Sequence, residues 1–264
     1  MEKNLIYVYC ISDSNQPHDS MAGIPDLKAL RIGNFNVYVK YVSDSEFSEE
    51  NLKKNLNDIQ WLDTNARDHL RVIGQIMENE SVIPFKFGTI FLSEERLNKF
   101  ISDYSSSLSE NFQRIEGREE WSVRIYCDRK MMSQQIDRLS EEASSLEKQI
   151  QSSLPGKAFL LRRKKTELIE NETDRLINQF GQEYYNKFKE LSNLTSLNNI
   201  LPEELTGRTE KMILNAAFLV PKRNVESFMG KADSLLKKDD NLGFSIETTG
   251  PWPPFSFISL KELY

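Results

Sequence analysis

The run Ser81-Val82-Ile83-Pro84-Phe85-Lys86-Phe87-Gly88-Thr89-Ile90-Phe91 constrains this chain more than any other stretch. Lys86 is its only charge, and β-branched and aromatic residues fill most of the rest, which predicts a central strand. Proline removes a ladder donor and glycine has no side chain to pack, so the strand is expected to bend or end near Pro84 and Gly88. The chain on either side is then expected to pack on it. Nothing in the run is an obvious nucleophile, metal ligand or phosphate cradle.

Upstream, Leu5-Ile6-Tyr7-Val8-Tyr9-Cys10-Ile11 predicts a first, central strand that stops at the loop cluster Ser12-Asp13-Ser14-Asn15. The loop runs on through Pro17, Gly23 and Pro25, and Phe35 to Val42 predicts a second strand. Ser48 followed by Glu49 and Glu50 opens a short helix. Asp63 or Thr64 is expected to cap a longer one whose Ala66, Leu70, Ile73 and Met77 form a buried stripe. Downstream, a helix from Ser93 to Gly117 precedes Trp121 to Cys127, a last strand with one buried face. The order β-β-α-α-β-α-β over residues 1–129 suits an α+β sandwich, ferredoxin-like, with helices on one face of a mixed or antiparallel sheet.

A second domain is expected over 130–264, and 264 residues suit two domains. Ile136, Leu139, Ala143, Leu146 and Ile150 repeat at heptad spacing, Leu154-Pro155-Gly156 breaks the helix, and a second helix follows. This predicts a long antiparallel helical hairpin over about 131–193, with the heptad seam available for self-association. A small α/β part over about 208–264 holds strands at Lys211–Val220 and Leu242–Thr248, with a helix between them. Three prolines in four positions then fix the turn around Pro251-Trp252-Pro253-Pro254-Phe255.

The net charge of −6 and charged fraction of 28% favour a solvated surface and argue against nucleic acid as a partner. The basic run Arg162 to Lys165 is followed by Glu167, Glu170 and Glu172 at pairing distance, so a solvated helix face is expected. Cys10 and Cys127 lie apart in apolar runs, as buried free thiols do, and zinc is not expected. The start lacks a leader pattern and no stretch of about 18 apolar residues occurs, which predicts a cytoplasmic chain without a lipid-membrane partner. GxGxxG, Walker, HExxH and GxSxG patterns are absent, so no cofactor, metal or catalytic residue is assigned. His18 and His69 are the only histidines, and His69, beside Arg67 and Asp68, is expected to be structural or exposed. Glu119 and Glu120 point to opposite faces of a strand and are expected as strand-edge charges, not as an acid/base pair.

Six segments together resemble the gas vesicle protein F/L family (GvpF/GvpL). They are Leu5 to Tyr9; Trp61-Leu62 through Ala66 and His69; Val82 to Phe91; Gly117-Arg118-Glu119-Glu120-Trp121; Asn215 to Val220; and Thr249-Gly250-Pro251-Trp252-Pro253-Pro254-Phe255-Ser256-Phe257. They spread over nearly the whole chain, and the Pro84–Thr89 and Thr249–Phe257 blocks are the specific ones. Lys86 stands where the family commonly has arginine and Phe255 where it commonly has tyrosine.

The resemblance implies a non-catalytic accessory or minor structural protein. It would bind the small hydrophobic gas vesicle shell protein (GvpA-type), and other accessory proteins, and assist nucleation or assembly at the vesicle. It also implies two α/β domains, the first ferredoxin-like and the second joined to the hairpin. Partner-binding residues are expected among Pro84, Phe85, Phe87, Gly88, Trp252, Pro253 and Phe255, although burial statistics alone favour such aromatics as core. The rival expectation is a small-ligand-binding or carboxylate-based enzyme domain with a cleft between the two domains, which a cleft lined by converging acids or by His69 with Asp68 would favour.

Overall fold

Every residue from Leu5 to Ile11 is buried, and that uninterrupted apolar run organises the first sheet. The structure, a computed structural model, describes residues 4–15 and 23–259; Pro17 and His18 lie outside them. Strand β1 (Asn4–Ser12) pairs antiparallel with β3 (Phe35–Ser43) on one side and with β4 (Val82–Pro84) and β5 (Ile90–Phe91) on the other. A short strand β2 (Lys28–Ile32) lies outside β3. The helices that follow β3 are α1 (Asp44–Phe47), α2 (Glu49–Asn55) and α3 (Ile59–Met77). Those that follow β5 are α4 (Glu94–Asp103) and α5 (Ser105–Ile115).

Helices cover both faces of this sheet, not the one face anticipated. Ile6, Val8 and Ile11 pack with Leu97, Ile101 and Leu108 of α4 and α5. Leu5, Tyr7 and Tyr9 pack with Val72, Ile73 and Ile76 of α3. A strand buried on both faces has no polar alternation, and β1 shows none. The register slips between Val8 and Cys10, a bulge that turns Tyr9 and Cys10 together toward α3.

In the second part, β6 (Arg118–Cys127) is followed by α6 (Arg129–Ser133), α7 (Ile136–Leu139), α8 (Glu141–Gln151) and the 35-residue α9 (Pro155–Lys189). After these come β7 (Leu194–Leu197), α10 (Glu203–Thr206), β8 (Lys211–Pro221), α11 (Val225–Lys238) and β9 (Phe244–Trp252). The sheet order is β7-β8-β6-β9. Trp121 to Cys127 therefore belongs to this second sheet, where Val123 and Ile125 pack with Phe218 of β8, Phe228 of α11 and Phe188 of α9.

The hairpin of α8 and α9 closes on itself. Leu146 and Ile150 meet Ala158 and Leu161, while Ile136 and Ala143 pack on Leu176 and Ile177. The heptad seam is consumed inside the chain and is not free to zip to another copy. Cys10 and Cys127 are both buried and free.

The chain divides into two compact units, one reaching to Glu120 and including the segment from Pro251, the other Trp121–Gly250. The division expected at residue 129, with all later residues in a second domain, gives way to boundaries inside β6 and β9. The C-terminal segment pairs with α5 and the start of β6 by hydrogen bonds that no local pattern reveals.

One glycine in the second unit tests this packing directly. Gly243 has φ +79°, and a Cβ there would stand 2.8 Å from Met131 Cβ and 3.0 Å from the Asp128 carbonyl oxygen. Gly243→Ala combines left-handed strain with that clash, so a loss of about 2 kcal/mol or more is expected in urea unfolding. Wild-type stability in this variant would show that the loop relaxes freely.

Candidate functional site

Between β4 and β5 the chain leaves the ladder for five residues, Phe85 to Thr89. The Phe85 N–H still donates to the Tyr9 carbonyl at 2.9 Å and the Val8 N–H to the Thr89 carbonyl at 3.1 Å. Within the excursion the Thr89 N–H donates to the Lys86 carbonyl at 3.2 Å. Gly88 has φ +80°, as the third residue of a type II turn requires. The expected interruption near Pro84 and Gly88 is therefore a defined turn.

A buried relay holds the turn to β1 and α3. His69 Nε2 lies 2.9 Å from the Phe85 carbonyl oxygen, and His69 Nδ1 lies 2.8 Å from the Tyr7 hydroxyl. A carbonyl only accepts, so Nε2 carries the hydrogen and the Tyr7 hydroxyl donates to Nδ1. The Gly88 N–H donates in turn to the Tyr7 oxygen at 3.4 Å. Burial pushes the His69 pKa down to about 4, against the opposing pull of the Phe85 carbonyl. With both ring nitrogens committed and the ring neutral at physiological pH, His69 is a structural pin. Asp68 turns instead to Arg71 and Lys40, at 2.5 and 3.8 Å. His69 is thus structural, one of the two expected roles, and the His69 and Asp68 pair of the rival expectation is not assembled as a catalytic dyad. Among the described residues no cluster of His, Cys, Asp and Glu could hold a metal ion.

The expected partner-binding residues separate by burial. Phe85 is 1% exposed and faces Phe91 and Phe100 with ring centroids 6.5 and 6.1 Å away. Pro84 and Pro253 are buried too. Phe87 and Gly88 are half-buried, and the Phe87 ring lies against His69, Trp61 and Tyr7 at 5.8, 6.0 and 6.3 Å. Phe255, also half-buried, packs against the same cluster as Phe87. Trp252 is 41% exposed. The two specific sequence blocks thus converge on one aromatic cluster in the first unit.

The C-terminal block is fastened by residues that sequence reasoning missed. The Ser256 hydroxyl and N–H donate to the two carboxylate oxygens of Glu120 at 2.6 and 3.0 Å. Asn111 accepts from the Ser259 N–H at 3.0 Å and donates to its carbonyl at 3.2 Å, and Arg114 donates to the Phe257 carbonyl at 3.1 Å. Glu120 is buried, not a strand-edge charge. Burial raises its pKa to about 7, with the two bonds from Ser256 opposing the shift.

A family model described as gas vesicle synthesis protein GvpL/GvpF matches residues 5–259. The chain belongs to this family. Gas vesicle protein L of Streptomyces sp. (strain CB03234) is 24% identical over 263 residues, covering 98% of this chain and 94% of that protein. Gas vesicle protein F of Nostoc sp. (strain PCC 7120) is 27% identical over 190 residues, or 67% of this chain and 70% of that protein. The crystal structure of GvpF from Anabaena sp. PCC7120 matches with a TM-score of 0.69 at 21% identity, over 98% of this chain and 100% of that one. That of GvpF from Microcystis aeruginosa gives 0.64 at 18% identity, over 98% and 100%. The mixed α/β fold with antiparallel sheets is thus the fold of solved GvpF proteins; in this GvpL/GvpF chain the relay joins the Leu5–Tyr9, His69 and Val82–Phe91 blocks and the Glu120 clasp joins the Gly117–Trp121 and Thr249–Phe257 blocks.

Proposed function

We propose that this chain is an accessory or minor structural protein of gas vesicles that binds the small hydrophobic shell protein and assists nucleation or assembly. The contact surface is the rim formed by Phe87, Gly88 and Phe255, together with the exposed Trp252. The observation that carries this reading is the convergence of the two specific family blocks on one aromatic cluster, with rings left half open at its edge. Aromatic anchors fixed by a turn and by prolines lose little entropy on binding, which suits them to cover apolar surface on a partner. Both ring nitrogens of His69 are engaged by Tyr7 and the Phe85 carbonyl, which argues against His69 as the base of a carboxylate-enzyme alternative.

Co-expression with an affinity-tagged shell protein is the test. Trp252→Ala and Phe87→Ala are each expected to weaken capture about tenfold while far-UV circular dichroism stays native. Capture at wild-type strength by the double variant would overturn the assignment of this face. Normal vesicles in a deletion strain would overturn the function itself.

A further inference from the structure

The second unit carries two exposed apolar surfaces of opposite charge. One is the tip of the α8–α9 hairpin, where Leu154, Phe159 and Leu160 are 81%, 68% and 66% exposed. Phe159 and Leu160 share a helix face with Arg163 and Lys164 one turn on, and Lys157 and Arg162 are exposed beside them. Among the described residues, no carboxylate lies within ion-pair distance of Lys157, Arg162 or Lys164. Arg163 reaches only Glu167, at 3.9 Å and in solvent.

The other surface lies along the open edge of the second sheet. A groove of about 450 Å³ runs between Ile200, Pro202 and Met212 and is bordered by Glu203, Glu204 and Glu210, with Lys211 as its one lining cation. It adjoins, through Ile200, a groove of about 390 Å³ between α9 and the chain after β7. Leu197, which lines the second groove, is 67% exposed, and Leu205, on α10 between the first groove's Glu204 and Thr206, is 72% exposed. Among the described residues, strand β7 pairs with β8 and no strand pairs with its other edge.

These surfaces cannot meet within one molecule. Phe159 stands 18 residues along α9 from Ile177, the first groove-lining residue on that helix, roughly 27 Å away at 1.5 Å per residue. We propose that the hairpin tip of one copy docks into the acidic edge groove of a second copy, giving head-to-tail association. Charge complementarity selects this occupant, because the basic apolar tip and the acidic apolar groove match each other and neither matches itself. A contact between two different surfaces is heterologous, so every open assembly keeps one free tip and one free groove, and assembly proceeds to rings or open chains. The heptad seam has no part in it.

Sedimentation velocity on the full chain tests this. Wild type is expected to form species that grow with protein concentration and shrink as salt rises from about 0.05 to about 0.5 M. Phe159→Glu with Leu160→Glu at the tip, or Glu204→Lys with Leu205→Lys at the groove, weakens association at least about tenfold. All four side chains are exposed, and circular dichroism checks the fold. Mixing the tip variant with the groove variant restores one contact and yields a one-to-one heterodimer and nothing larger. A second set, Arg163→Glu with Lys164→Glu against Glu203→Lys with Glu204→Lys, swaps the charges, so mixing is expected to restore both contacts and to assemble beyond the heterodimer. A wild type that stays monomeric at every concentration overturns the proposal, as do single-surface variants that associate like wild type or a mixture that fails to pair. A monomeric chain whose tip binds phosphatidylserine vesicles overturns it in favour of a lipid surface.

Discussion

Phe85→Ala is expected to destabilise the first unit by about 3–5 kcal/mol, read as a lower urea midpoint with an unchanged slope. The ring is fully enclosed among β1, α4 and α5, so truncation leaves a cavity and removes its edge contacts with Phe91 and Phe100. The backbone at the same residue joins β1 through its N–H and His69 through its carbonyl. Relaxation that filled the cavity would therefore pull on the turn, and little collapse is expected. Phe87→Ala, two residues on, removes a half-buried ring that packs in the other cluster and leaves the Phe85 core intact. Its stability loss is expected to be well under half that of Phe85→Ala. A loss at Phe85 below about 1 kcal/mol would show that this ring is not the keystone of its cluster.

The residues that were legible in the sequence are those whose neighbours in sequence determine their place. The turn at Gly88 is one, because positive φ and the loss of a ladder donor are local properties of glycine and proline. The longer helix was legible in existence but not in register. A cap at Asp63 or Thr64 and a stripe through Leu70 were anticipated, whereas Asp58 caps α3 and Leu70 is 39% exposed. His69 explains the shift: it takes a core position as a hydrogen-bonded neutral ring, which a hydrophobic pattern counts as polar. Strands β2 and β7 escaped notice because KALRI and LTSL lie at sheet edges, half exposed and weakly patterned. In α11 the apolar Met229 is exposed, and the helix buries Phe228, Ala232 and Leu235. Sheet membership of Trp121 to Cys127 was hidden for a different reason. Its alternation specifies a buried face but not which partner strands supply the other half. The same holds for Glu120, whose partner Ser256 stands 136 residues away.

Glu120 makes folding stability depend on pH in a direction opposite to that of most carboxylates. Its folded pKa is about 7 against an ordinary value of 4.5, so the folded chain holds a proton there that the unfolded chain has released. Stability from this group is fully present below pH 4.5 and is lost as pH rises through 7, because the buried carboxylate must then ionise. The shift corresponds to about 3 kcal/mol. Urea unfolding of wild type minus that of Glu120→Gln isolates the contribution, since other titrating groups cancel in the difference. That difference is expected to fall by about 3 kcal/mol between pH 4.5 and pH 8, and parallel profiles would refute the buried titration. Ser256→Ala sharpens the same test. It removes the hydroxyl that donates to the ionised carboxylate, so its loss should be greater at pH 8, by about 1.5–3 kcal/mol in all, than at pH 4.5. Because the Glu120 clasp secures the segment carrying Trp252 and Phe255, loosening it by alkaline pH or by Ser256→Ala is expected to weaken shell-protein capture before the unit unfolds. A capture curve flat across the same pH range would separate the clasp from the binding face.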